Sequence, residues 1–152
     1  MTLKELLNDD KLRPHKTSAR ELADLLKVAE RDLADAAIAG LSTDRRFTIA
    51  YNAILQLSTM IIYAQGYKTH GAAHHFTTFE ALKVILPGEY KELIAYFDSC
   101  RGKRNVSDYD RSGSISQKDA DEILTEAVQF KKLVLNWLNT NYPKLYSFNN
   151  TK

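Results

Sequence analysis

"TDRRFTIAYNAILQLSTMIIYAQG", residues 43–66, decides the fold. Phe47, Ala50, Tyr51, Ile54, Leu57, Ile61 and Ile62 recur at three- and four-residue steps, the period of a helix face turned to a core. Thr43 or Ser42 stands where an N-cap belongs, and Gly66 supplies a residue that tolerates the left-handed stop. The stretch predicts a long helix over roughly 44–65, too apolar on one side to stand alone.

Its neighbours repeat the pattern. Upstream, "SARE" (18–21) is a capping box of Ser18 and Glu21, and Leu22, Leu25, Leu26, Ala29, Leu33 and Ala36 follow on one face, with Gly40 as the expected stop. A short amphipathic turn is expected over 2–8. Downstream, a third helix is expected from about Gly71 to Leu86, ended by Pro87. A fourth begins near Gly88 and carries Leu93, Ile94, Tyr96 and Phe97. Ser116 with Asp119 opens a fifth, with Ile123, Leu124, Ala127, Val128, Val134 and Trp137 on its core side. Pro14, Pro87 and Pro143 all fall at inferred boundaries, and residues 143–152 read as a flexible polar tail. No run alternates long enough to argue a sheet. With short connections, the expected fold is all-α: an antiparallel four- to five-helix bundle, a single domain over 1–152 with its core at about 18–138.

Composition narrows the function classes. The 152 residues are 44% apolar and 26% charged, in the ordinary globular range, and are enough for one domain with a core. No segment approaches ~18 uninterrupted apolar residues, so no membrane partner is expected. The opening "MTLKELLNDDKLRPHK" lacks the apolar centre of a signal peptide, and a lone cysteine, Cys100, suits a reducing compartment. A cytoplasmic location is the expectation. The net charge of +2 does not by itself imply nucleic-acid binding, so any polyanion must be held by a local patch.

Three groups of residues bear chemistry. His70 and His74 are four apart, with His75 adjacent, a spacing that can chelate a metal on a helix. No third ligand is evident and Gly71 stands where a zinc helix has its Glu, so the expectation is no metal, with His70 at the helix start and His74 and His75 packed on a neighbouring helix. "DYDRSGSISQKD" (108–119) fits a twelve-residue calcium loop, with Asp108, Asp110, Ser112 and Asp119 as candidate ligands and Gly113 at the turn; the same letters equally describe an Asp-rich turn before a capping box. Finally, Arg101, Lys103 and Arg104 form a basic cluster in which Arg101 and Arg104 share a helix face. Guanidinium forks match phosphate oxygens, but Arg101 could pair with Asp98, and Arg104 with Asp108 or Asp110. The residues leave both readings open.

"KRNVSDYD" (103–110), at the end of one helix and before a loop and another long helix, resembles the signature of the HEPN family: Arg, usually Asn, a few residues, then His. "AYNAILQLSTMIIYAQGYKTHGAAHHFTTFEAL" (50–82) is similar to the HEPN helix that ends in a Gly-Tyr turn before a His-containing segment, and the likeness covers roughly 18–138. The resemblance implies a helical bundle that homodimerises around a shared cleft, binds RNA or nucleotide, and belongs to a toxin–antitoxin or defence system, often beside a minimal nucleotidyltransferase. Many members are metal-independent endoribonucleases, and no cofactor is implied. Carried over, Arg104 would be the phosphate ligand and Asn105 the orienting residue, with Tyr109 at the histidine position. The chain resembles the branch with this RN…DY form. A phenol is a poor base at neutral pH, and Asp108 and Asp110 disfavour its ionisation further. The expectation is therefore a non-catalytic RNA-, nucleotide- or partner-binding component. An endoribonuclease using Arg104, Asn105 and Tyr109 is the alternative, and a calcium-binding helical domain the third reading.

Overall fold

The structure, a computed structural model, describes residues 1–109 and 115–146, the side chains of 105–109 excepted. Among the described residues the chain is mostly helical, and its centre is the helix on which the sequence turned. This helix, α3 (Thr43–Ala64), follows α1 (Leu3–Asn8), β1 (Leu12–Pro14) and α2 (Ala19–Ala36). After it come β2 (Tyr67–Thr69), α4 (His74–Ile85), a 3-10 turn (Gly88–Tyr90), α5 (Lys91–Tyr109) and α6 (Gln117–Asn141).

All seven core positions expected on α3 are buried, and so are Ala53, Ser58, Met60 and Ala64. The extra burial has a plain cause: α3 packs against α2, α6, α4 and α5. Among the described residues it is also the helix long and apolar enough to cross a bilayer by composition. In the bundle those apolar residues lie in the core.

An aromatic chain ties α4, α5 and α6 to α3. The Tyr51 ring meets Phe79 of α4 at 6.3 Å, Phe79 meets Phe97 of α5 at 6.1 Å, and Phe97 meets Phe130 of α6 edge-on at 4.9 Å. Such ring pairs add about 0.5–1.5 kcal/mol each beyond their burial.

The helix ends follow the local chemistry. Ser18 and Ser42 accept from the backbone N–H groups of Glu21 and Arg45, and Ser116 and Asp119 form a complete capping box. Gly66 follows the α3 C-cap with φ +93°, a left-handed residue that ends the helix as expected. Gly40 does not end α2: the helix stops at Ala36, and Arg46 donates to the carbonyls of Ala36 (2.8 Å) and Ile38 (2.9 Å), a cation satisfying a helix C-terminus.

Several expectations need correction. There are six α-helices among the described residues, not four or five, because the 2–8 turn is a helix, and there is a sheet. β1 and β2 pair antiparallel, Leu12 opposite Thr69 and Pro14 opposite Tyr67. Each strand is three residues long and its partner lies on the far side of α2 and α3, so periodicity has nothing to register. α4 begins at His74 rather than Gly71, because Gly71 (φ +81°) and Ala73 (φ +60°) are both left-handed. α5 begins at Lys91, after the 3-10 turn. On α6, Val128 is 39% exposed, while Phe130 and Leu138 are buried. The tail is not wholly polar and loose: residues 143–146 form turns, and Leu145 and Tyr146 pack against the core.

Candidate anion site

The helix order brings α5's basic residues against the starts of other elements. Arg101 and Arg104 lie one turn apart on α5, and their guanidiniums sit over two rings. The Arg101 guanidinium carbon is 5.5 Å from the Phe76 ring centre, and that of Arg104 is 5.6 Å from the Tyr51 ring centre. Both distances are in the cation–π range. Phe76 belongs to the first turn of α4 and Tyr51 to the buried face of α3, so the two arginines bridge three helices.

His75 stands among them. Its Nδ1 is 3.2 Å from the Tyr51 hydroxyl, and the two rings are 5.7 Å apart. Burial, then the charges of Arg104, His74 and Arg101, hold the half-buried imidazole below its usual pKa, so it is neutral at physiological pH. Burial raises the Tyr51 phenol well above the usual tyrosine value despite Arg104 and Arg101, so it stays protonated. A pocket of about 290 Å³ opens between Ala73, His74, His75, Phe76 and Arg101. No side chain caps the first turn of α4, where backbone N–H groups favour negative charge.

The sequence-predicted residues separate into groups. Arg101 and Arg104 share the site. Arg101 also makes the expected pair with Asp98, Nε to Oδ1 at 2.9 Å; a guanidinium has five N–H donors, so this bond orients the group without exhausting it. Lys103 points elsewhere, its Nζ 3.0 Å from Asp119 at the start of α6. Asp119 is accordingly engaged by Lys103 and by the Ser116 N–H, and the Lys103 bond, ahead of those from Ser116, holds its carboxyl below the usual range against burial. The side chains of Asn105, Asp108 and Tyr109, and the residues Asp110, Ser112 and Gly113, lie outside the described residues. With them lie the pairing of Arg104 with Asp108 or Asp110 and most of the proposed calcium loop. Of that loop's candidate ligands, Asp119 is the one described.

The histidines do not form the shared face expected of His70 and His74. His70 lies beyond β2, its backbone N–H bonded to Lys11 O and its ring 3.7 Å from Asp10 Oδ2, because the helix starts four residues later. His74 faces the Thr69 hydroxyl at 3.3 Å. Among the described residues no three His, Cys, Asp or Glu side chains converge as a metal site requires. Cys100 is buried on α5, and desolvation pushes its thiol up to about 11, so it is no nucleophile at neutral pH. A larger groove of about 540 Å³ runs between the 3-10 turn and α6, beside Tyr90 and Trp137, but it carries one Lys and one Glu and none of the candidate site residues named from the sequence.

Sequence reasoning missed Tyr51, Phe76 and His75 as members of this site. Tyr51 was assigned to the core, which is correct for its ring. What links it to His75 is a contact across 24 residues, from one helix to another. The His74-His75 doublet was the visible signal, but a doublet names no partner. No protein-family model, curated protein or solved structure matches the chain.

Proposed function

We propose that the chain is a HEPN-type helical bundle whose Arg101–Arg104 face binds the phosphate of RNA or a nucleotide, as a non-catalytic, homodimeric, cytoplasmic component of a toxin–antitoxin or defence system. A minimal nucleotidyltransferase is the partner that the resemblance implies. One observation carries the binding reading: two guanidiniums from one helix face, each backed by an aromatic ring, beside an imidazole and a pocket. Guanidiniums recognise phosphate oxygens by paired hydrogen bonds, and an exposed ring next to them offers a stacking surface for a base. Phe76 is 37% exposed and meets that need.

Fluorescence anisotropy with a labelled single-stranded RNA tests it. The native protein should bind, and added salt should weaken binding. Arg104→Ala should lose roughly tenfold in affinity, with a salt slope shallower by about one. Equal binding by the variant removes Arg104 from the site. Light scattering at micromolar protein checks the dimer.

A second reading, a metal-independent endoribonuclease, is favoured by one specific observation. The RN…DY stretch carries Tyr109 where a histidine would stand, yet an imidazole from α4, His75, meets the hydroxyl of Tyr51, the ring that the Arg104 guanidinium covers. A neutral imidazole is suited to accept a proton from a ribose 2′-OH. Incubation of the protein with RNA in EDTA decides: fragments absent with Arg104→Ala and His75→Ala support cleavage, and intact RNA with a protein that binds it leaves the non-catalytic reading.

A further inference from the structure

We propose that the groove between the 3-10 turn and α6 binds an extended, proline-rich segment of a partner protein in the polyproline II conformation. The groove shares no residue with the anion site, so the inference stands apart from the phosphate-binding reading.

The shape of the groove favours a chain as its occupant. Its floor is one face of α6, on which Gln129, Leu133, Asn136 and Thr140 follow at three- and four-residue steps, with Lys132 and Trp137 beside them. From Gln129 to Asn141 this face is about 18 Å long at the helical rise of 1.5 Å per residue. The facing wall is the turn that opens at Pro87 and is closed by the Tyr90 N–H, which donates to Pro87 O at 3.0 Å. A polyproline II segment rises 3.1 Å per residue, so about six residues match the length of the floor. A single nucleoside or sugar ring would fill only part of it.

The lining chemistry selects the kind of chain. Tyr90 brings a ring from the turn and Trp137 a ring from α6, and both pack against the core, which holds them in place. Tyr142 holds the indole further, with the two ring centres 5.4 Å apart. Fixed aromatic rings are the surfaces on which pyrrolidine rings dock. Among the described residues, the side chains of Gln129, Lys132 and Asn136, the Tyr90 hydroxyl and the Trp137 indole N–H have no hydrogen-bond or ionic partner. All five can donate. A polyproline II segment has no internal hydrogen bonds, so its carbonyls are free to accept, and its prolines carry no N–H in need of an acceptor. Lys132 and Glu89 contribute one charge of each sign, so the groove lacks the positive field that a nucleic-acid strand requires.

Trp137 is the one tryptophan of the chain, so its emission reports on the groove directly. Titration of the full chain with a capped hexaproline peptide should change that emission saturably, and a glycine–serine peptide of the same length should bind at least roughly tenfold more weakly. Tyr90→Ala should lose roughly tenfold in affinity for hexaproline. Asn136→Ala, at an exposed position, should lose roughly threefold and serves should the Tyr90 variant fail to fold.

Unchanged emission at millimolar hexaproline, equal binding of the two peptides, or native affinity in the folded variant overturns the proposal. Saturable binding of chitohexaose with no response to hexaproline overturns it as well and makes the groove a sugar site. Because RNA binding through Arg104 is read separately, either reading can fail while the other stands.

Discussion

His75 illustrates how one residue's surroundings set its chemistry. Burial first, then Arg104, His74 and Arg101, lower its pKa from the ordinary 6.5. The unfolded chain therefore takes up a proton at this residue before the folded one does. Its contribution to stability is complete above about pH 6.5 and is lost as pH falls through the folded value. The melting temperature should accordingly fall as the pH drops below about 6.5, and His75→Gln should flatten that fall. Asp10, Glu21 and Asp119, whose carboxyls are held low by their partners, lose their contributions only at more acidic pH, so the two windows separate. Tyr51→Phe removes the hydroxyl from Nδ1 and should cost about 0.5–1.5 kcal/mol by chemical denaturation.

At the scale of elements, the ends of helices carry the most specific interactions. Arg46 closes the end of α2 by reaching back to two carbonyls, a role with no signature in the sequence, since the cation sits in the next helix. Arg46→Ala should destabilise by about 1.5–3 kcal/mol, the range for charged hydrogen bonds, as measured by urea unfolding. Ser116→Ala removes one half of the α6 capping box and should cost about 1 kcal/mol. The Ser18 cap of α2 and the capping box of α6 were legible because they join residues three apart, although at α2 the Glu21 carboxylate turns to His15 and Thr17 and does not complete the expected box. The β1–β2 pairing was not, because it joins residues more than fifty positions apart through backbone groups that any side chain can accompany.

The whole molecule depends on two long-range arrangements. Phe97 lies between Phe79 and Phe130 and is fully buried, so Phe97→Ala should cost about 3–5 kcal/mol. That is a large share of the ~5–15 kcal/mol that keeps a domain folded. The N-terminal segment is the second arrangement: Leu6 and Leu12 are each 1% exposed, and β1 joins the bundle through β2. Burying two leucines contributes roughly 3–6 kcal/mol, so removing residues 1–16 should lower the melting temperature sharply instead of trimming a loose end. The sequence alone placed the core at about 18–138, and this segment lies outside it.

What the sequence by itself determined is what nearest neighbours along a helix determine: the position of α3, its apolar face, the serine caps, Gly66 at the stop and the placing of Arg101 and Arg104 on one side of α5. Each depends on spacings of three or four residues, which the helical repeat converts directly into geometry. Only the tertiary structure decided that Lys103 turns to Asp119 while the two arginines turn to Tyr51 and Phe76, and that His75 joins them. These contacts follow from how α3, α4 and α5 pack against one another. Packing is set by the fit of whole faces, and no local spacing records it.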